Sequence, residues 1–384
     1  MKMISICIIT KNEVKNLEEC LRHLEKLKSE IVVVDTGSID DSIATAKKYT
    51  NHVYDFAWCD DFSAARNFSI SKASGEIIVV IDSDEFIVEF DKEAVEKIFE
   101  QNESVIGRIN IKETFGVNGE FEAVDHINRV FSKRYYHYTG RIHEQVVAIT
   151  NDVRTNDATD LNQYNKHDVL NNSVVDHEIV NLPITVLHSG YGGKELRLRK
   201  AERNIKLLNG ELESGEDPYI LYQLGKSYYM ISEYQKACEY FAEGLEFDVN
   251  PELEYVNDMV ETYGYSLINS KQYEEALLFE NIYDQFGDTA DFQFLMGLIY
   301  MNNEMFEKAI EEFEKATRCI HSRVIGVNAY LAWYNIGVIL ECLGYKEKAI
   351  VYYEKCGSYE KSLERLAFLS EELRILNKNP ESLL

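Results

Sequence analysis

The sequence predicts an α/β domain with a mainly parallel sheet, followed by an all-α solenoid. Three observations carry this reading. Short β-branched runs alternate with helix-period stretches through the first eighty or so residues. The run Ile77-Ile78-Val79-Val80-Ile81 is apolar throughout, as a strand buried on both faces must be. Beyond residue 205 the strand-like runs stop, and Gly225, Gly264, Gly297 and Gly337 each precede an alanine by twelve residues.

The elements follow in order. Residues 4–10, 30–34, 52–58 and 76–81 read as strands. Between them, 16–28 places Leu17, Cys20, Leu21, Leu24 and Leu27 on one helical stripe. Residues 41–49 and 61–73 supply two more helices, each opened by acids suited to a helix start. Strict alternation puts helices on both faces of the sheet, and ligands then sit beyond the carboxyl ends of the strands. Thr10-Lys11-Asn12-Glu13, Asp35-Thr36-Gly37-Ser38 and Asp82-Ser83-Asp84-Glu85 follow three of these strands, so one rim collects Thr10, Asn12, Glu13, Asp35, Ser38, Asp82, Ser83 and Asp84. Residues two apart in extended chain point the same way, which lets Asp82 and Asp84 converge. Two acids closing a buried strand are costly unless they hold a cation or donor groups. A hard divalent ion bridging to phosphate oxygens is the usual solution. The first βα turn lacks G-x-G-x-x-G, and no G-x-x-x-x-G-K-[ST] occurs. The expectation is a nucleotide diphosphate bound through a metal ion.

Composition narrows the partners. The net charge of −26 argues against nucleic acid and against anionic membrane surfaces. No apolar run reaches the roughly 18 residues of a membrane span. The apolar start at 4–10 is too short for a signal-peptide core. Seven cysteines, odd in number and without C-x-x-C spacing, read as buried thiols of a reducing, cytoplasmic compartment.

With these residues in hand, roughly 3–205 resembles the family 2 glycosyltransferases of GT-A fold. Ile8-Ile9-Thr10-Lys11-Asn12-Glu13 is similar to the family's opening pattern, and Asp35 to its second-strand acid, which contacts uracil or ribose. The segment Trp58-Cys59-Asp60-Asp61-Phe62-Ser63-Ala64-Ala65-Arg66-Asn67 resembles a W-x-x-D-F-x-x-A-R-N signature, which implies Arg66 near the diphosphate. Asp82-Ser83-Asp84 resembles the D-x-D element, implying Asp82 toward the ribose or metal shell and Asp84 as direct ligand. Arg129-Val130-Phe131 with Gly140-Arg141-Ile142-His143-Glu144 resembles the subgroup's acceptor-side stretch, with Glu144 as the implied base; Glu85 and Asp125 compete for that role. His188-Ser189-Gly190-Tyr191 resembles the late H-x-G-Y element, whose histidine completes the metal shell.

The resemblance implies a metal-dependent (Mn2+ or Mg2+), inverting transfer from a UDP-sugar, with UDP-glucose as the family-weighted donor. Within the family it extends to the sublancin-type peptide glycosyltransferases, which modify bacteriocin cysteines or serines. Related enzymes act on cell-envelope glycans, so both acceptor classes stay open. A further alternative is a repeat scaffold with an inactive first domain.

In the second half, the glycines lie 39, 33 and 40 residues apart, and Phe241, Glu280, Phe313 and Tyr353 follow the alanines by four. This is the tetratricopeptide pattern, whose unit is about 34 residues. Glu280 departs from it, and Phe279 is the expected substitute. The aromatic residues read as core between paired helices, and the concave face as a surface for a peptide or glycan acceptor or for a homodimer. The expected division is 1–205 for the catalytic domain and 206–384 for the repeats. The stretch 151–178 holds six Asn and five Asp, so 151–181 reads as a loop or lid.

Overall fold

The computed structural model describes residues 3–115, 121–149, 178–188, 194–213, 215 and 217–378. Two compact units divide between Leu196 and Arg197, within the helix Lys194–Leu212.

The first unit opens with β1 (Ile4–Thr10), α1 (Val14–Glu25), β2 (Glu30–Asp35), α2 (Ser42–Ala46), β3 (Val53–Asp55), α3 (Phe62–Lys72) and β4 (Ile77–Asp82). β1 pairs in parallel with β2 and β4, and β2 with β3. The period of two along these strands sorts their side chains onto two faces. Ile4, Ile6, Ile8, Ile77, Val79 and Ile81 pack with Leu17, Cys20, Leu21 and Leu24 of α1. Cys7, Val32, Ile78 and Val80 pack on the other face with Ile70 and Ala73. Each such aliphatic side chain contributes roughly 1.5–3 kcal/mol by leaving water. The expected strand 52–58 contracts to three residues, because Phe56 and Trp58 leave the sheet to join Phe62 and Phe68 over Ile9, Val34 and Ala65. Of the helix-opening acids, Asp61 caps α3 by accepting from the Ala64 N–H (2.9 Å), whereas Asp41 makes no side-chain cap.

The rest of the sheet is mixed. β5 (Glu85–Phe90), α4 (Lys92–Gln101), β6 (Ile106–Phe115), β7 (Phe121–Ser132) and β10 (Ile179–His188) complete it, and β8 (Tyr136–Thr139) with β9 (Gln145–Ala148) forms a separate hairpin. The strand order is β3-β2-β1-β4-β7-β6-β10-β5. β7 runs antiparallel to β4 and β6, β10 parallel to β6, and β5 antiparallel to β10. Residues 83 and 84, which span at most about 10 Å of backbone, link β4 to a strand four places away. Flat strands about 4.8 Å apart would put β5 near 19 Å off, so the sheet must curl until β5 approaches the end of β4. His188 thereby comes to lie opposite Glu85. The expected lid falls outside the described residues over 151–177, and 179–181 open β10.

The second unit is a series of paired helices: Pro218–Met230 with Tyr234–Leu245, Ala290–Asn302 with Phe306–Ala316, and Tyr330–Cys342 with Lys346–Lys355. A Cβ on Gly225, Gly297 or Gly337 would stand 2.4–2.6 Å from a ring carbon of Phe241, Phe313 or Tyr353, so each glycine is the seat of its own repeat's aromatic. Glu254–Asn269 opens the remaining pair, and its partner winds as a 3-10 helix over Leu277–Ile282. The tighter turn brings Phe279 against Gly264 and leaves Glu280 exposed, paired with Lys308 (2.9 Å). All seven cysteines are free; Cys7, Cys20, Cys238 and Cys356 are buried, but Cys59 and Cys342 are exposed, which corrects the expectation of uniformly buried thiols. No helix among the described residues is long and apolar enough to cross a membrane.

Candidate active site

The register sets Thr10 opposite Asp35 and Ile9 opposite Asp82, so the carboxyl ends of β1, β2 and β4 form one rim. Asp35 Oδ2 accepts from the N–H groups of Gly37 (2.9 Å) and Ser38 (2.8 Å), and Gly37 meets that turn at φ +101°. Asn12 donates its N–H to Ser38 Oγ and takes the Ile39 N–H on Oδ1, both at 2.8 Å. These bonds lock two loops together. Glu13 turns its carboxylate to Asn16 at the start of α1 (2.8 Å), away from the Asp35 turn. Asp35 Oδ1 and Thr10 Oγ1 are left buried without a hydrogen-bond partner among the described residues. The register sets this acceptor and this hydroxyl on neighbouring strand ends, where a ligand group or an ordered water would satisfy them.

Across the rim lies a charge network. Arg66 of α3 donates Nη2 to Asp82 Oδ1 (2.7 Å) and Nε to Glu144 Oε1. Arg129 of β7 donates Nη2 to Asp82 Oδ2 (2.9 Å) and reaches Glu85 Oε1 at 3.4 Å. Glu85 Oε2 accepts the Asp82 N–H (2.8 Å). Both arginines are buried, 4% and 9% exposed, so their charge has to be matched inside the protein. Burial pushes the Asp82 carboxyl up, but the guanidinium groups of Arg66 and Arg129 outweigh it and hold Asp82 well below the usual carboxylate range. Burial dominates at Glu85 and raises it, with Arg129 opposing.

The dipeptide Arg66-Asn67 also positions the hairpin that carries Glu144. Asn67 donates Nδ2 to the Tyr138 carbonyl (2.8 Å) and accepts the Tyr138 N–H (2.9 Å). The Phe62 N–H donates to the Arg141 carbonyl at 2.7 Å. With the Arg66–Glu144 bond, α3 therefore grips the β8–β9 hairpin at three points. Trp58 donates its indole N–H to Asp60 (2.8 Å) and sets its ring edge-on to Phe62, so that part of the W-x-x-D-F pattern builds the start of α3.

Asp84 Oδ2 and His188 Nε2 stand 3.4 Å apart. Two neighbouring ligands of a small divalent ion, held at about 2.1 Å, stand about 3 Å from each other, so this pair fits one edge of a cation's shell. No group of three His, Cys, Asp or Glu side chains suited to a metal occurs among the described residues. Oxygens of a bound molecule would add to the two ligands that this pair supplies. Ser83 is buried in the turn beside Asp84. Gly190 and Tyr191 of the H-x-G-Y element lie outside the described residues. Sequence reasoning missed the parts played by Asn67 and Arg129, which it quoted only within motifs.

A nucleotide-scale α/β domain with its polar rim at the strand ends, joined to helical hairpins, is the class that fold and site define. Residues 5–149 match the family model for Glycosyl transferase family 2, and residues 290–318 and 330–363 match that for the Tetratricopeptide repeat. The chain thus carries a family 2 glycosyltransferase domain followed by tetratricopeptide repeats. It is 26% identical over 255 residues to the SPbeta prophage-derived glycosyltransferase SunS of Bacillus subtilis, covering 63% of this chain and 53% of that one. A TPR repeat-containing protein of Synechococcus elongatus is 39% identical over 88 residues, covering 23% of this chain and 22% of the relative. The chain therefore spans less than two thirds of either relative's length. Among solved structures, glucosyl-3-phosphoglycerate synthase from Mycobacterium tuberculosis with Mg2+ and uridine-diphosphate is similar at 22% identity and a TM-score of 0.24, covering 29% of this chain and 43% of that one.

Proposed function

We propose that the first unit transfers a sugar from a UDP-sugar to a nucleophile on a peptide. The observation that carries this is the orphaned pair Thr10 Oγ1 and Asp35 Oδ1 on the same rim as the Asp84–His188 pair. Uracil presents an imide N–H beside carbonyl oxygens. Asp35 Oδ1 accepts the N–H and the Thr10 hydroxyl donates to a carbonyl, which supplies both missing partners at once. Cytosine has no imide N–H at that edge, whereas guanine offers N1–H beside O6 and differs from uracil in its exocyclic amine and its larger, two-ring size.

At the other end of the ligand, Asp84 and His188 would hold Mn2+ or Mg2+, which when bound supplies Lewis-acid stabilisation to the departing diphosphate. Arg66 adds a fixed positive charge nearby, and its bond to Glu144 holds that carboxylate in one orientation. Glu144 takes the proton of the acceptor hydroxyl or thiol as the acceptor bonds to the sugar C1. The C1–oxygen bond to the diphosphate breaks with its electron pair leaving on the diphosphate, and the anomeric centre inverts. A thiol, with a reference pKa near 8.5, needs less help from the base than a hydroxyl. The peptide class follows from the tetratricopeptide matches and the likeness to SunS, and bacteriocin precursors with a cysteine or serine acceptor are the proposed substrates.

The test is donor selectivity. The full chain is incubated with UDP-, GDP- and CDP-sugars and a cysteine- and serine-containing peptide, and nucleotide release and peptide mass are followed. Release of UDP with a matching mass gain on the peptide is the expected result. Equal use of all three nucleotides, or no transfer from any, would defeat the reading.

A further inference from the structure

Arg129 plays no part in the mechanism above, yet the fold goes to some length to bring it there. The β6–β7 register runs Gly107 opposite Val130 and then Arg108 opposite Asn128, so Arg129 is the extra residue of a β-bulge. A bulge re-aims one side chain and breaks the ladder locally. Gly107 across from it leaves little room, since a Cβ there would stand 2.3 Å from Leu182 Cδ1 and 3.0 Å from Val130 Cβ, and the leucine would have to shift.

The arginine so placed closes a ring around the β4–β5 turn. Its Nη2 contacts Asp82 Oδ2 and Glu85 Oε1, and Glu85 Oε2 takes the Asp82 N–H. Asp84 lies inside that ring, between the two clamped residues. Arg129 Nε is buried and has no hydrogen-bond partner among the described residues. A simple structural ion pair would not call for a bulge and an unmatched buried donor together.

We propose that Arg129, acting with Glu85, is a positioning residue that fixes the Asp82–Glu85 turn, so that the phosphates of the donor, but not its nucleoside, are received in one geometry. This rests on the UDP-sugar reading of the rim. Lysine keeps the charge of arginine but is shorter and lacks the rigid guanidinium plane that aims Nη2 at both carboxylates. Arg129→Lys should therefore weaken uridine diphosphate binding about tenfold or more, while uridine binding stays within about twofold.

The experiment measures uridine diphosphate binding by calorimetry, uridine binding by ligand-observed NMR, and thermal melting, on the full chain and on Arg129→Lys. Glu85→Gln, which cuts the other side of the clamp, serves in parallel and carries the test if Arg129→Lys does not fold. The split between nucleotide and nucleoside, with melting little changed, supports the assignment. Equal weakening of both ligands alongside a large fall in melting temperature means a structural role and overturns it. Unchanged binding of both ligands also overturns it, while leaving the donor reading intact. A native chain that binds neither ligand removes the donor reading itself, and the inference with it.

Discussion

At the scale of the residue, the proposed nucleobase end of the site depends on hydrogen-bond polarity. Asp35 Oδ2 is engaged by two backbone amides and Oδ1 is free for a ligand. In Asp35→Asn the amide oxygen would keep the Gly37 and Ser38 N–H groups, turning a donor toward the base. Donor would then meet donor at the uracil N–H, whereas cytosine offers an acceptor there. An unmatched buried polar group costs about 1–3 kcal/mol, so uridine diphosphate should bind roughly ten- to a hundredfold more weakly, and cytidine diphosphate should gain on it. Competition titration checks this; unchanged preference would remove Asp35 from the base site. The sequence singled out Thr10, Asp35, Asp82, Asp84 and His188 as candidates beside strand ends, and named Arg129 and Asn67 only within motifs. The contacts of those two were not legible, because their partners lie 47 and 71 residues away in sequence and meet them only through the register of β7 and the docking of the β8–β9 hairpin. A bulge, which decides where Arg129 points, leaves no mark in hydrophobic periodicity.

At the scale of the element, the repeats make two predictions. Phe313 is fully buried on Gly297, and an added methyl would approach its ring to 2.6 Å. Overpacking of this kind costs about 1–3 kcal/mol, so Gly297→Ala should lower the melting temperature of the helical unit by several degrees, whereas Gly344→Ala meets no atom within 4 Å and tests backbone strain alone at φ +85°. The second concerns pH. The loop ahead of Tyr330–Cys342 reaches back to Glu254–Asn269 and Ala290–Asn302: Arg323 Nη2 contacts Asp258 (3.0 Å) and Glu261 (2.8 Å), and Asp291 accepts the N–H groups of Arg323 (2.8 Å) and Val324 (2.9 Å). Burial raises Glu261, against the pull of Arg323, to about 7 from an ordinary 4.5. Between those values the folded unit holds a proton that the unfolded chain releases, so the Glu261 contribution to stability falls as pH rises through the window and is level above it. Asp258 is held low by Lys226 and Arg323 despite its burial, and its contribution is lost only in acid below that window. Chemical denaturation from pH 5 to 8 should show a decline on the order of 3 kcal/mol that Glu261→Gln flattens; an identical slope in the variant would contradict the assignment. Glycine and alanine spacing made the helix pairs legible, and the departure at Glu280 was visible too. The 3-10 winding behind that departure, and the return of Arg323 to two earlier helices, come from tertiary packing that spacing does not encode.

At the scale of the whole molecule, alternation and repeat spacing made both units legible: a sheet flanked by helices, then paired helices. The curl of the sheet was not, because four parallel strands read alike whether the later strands continue flat or fold round. That curl joins the two halves of the site, for it brings His188 on the tenth strand opposite Glu85 and within 3.4 Å of Asp84. The account therefore predicts that nucleotide and metal bind together or hardly at all. Calorimetric titration of uridine diphosphate into the native chain, with Mn2+ and again with chelator, tests this most directly, with Asp84→Asn run beside it. The account predicts affinity at least about tenfold tighter with Mn2+ in the native chain and no such difference in Asp84→Asn. Equal affinity with and without metal in the native chain, or a metal effect undiminished in Asp84→Asn, would contradict it.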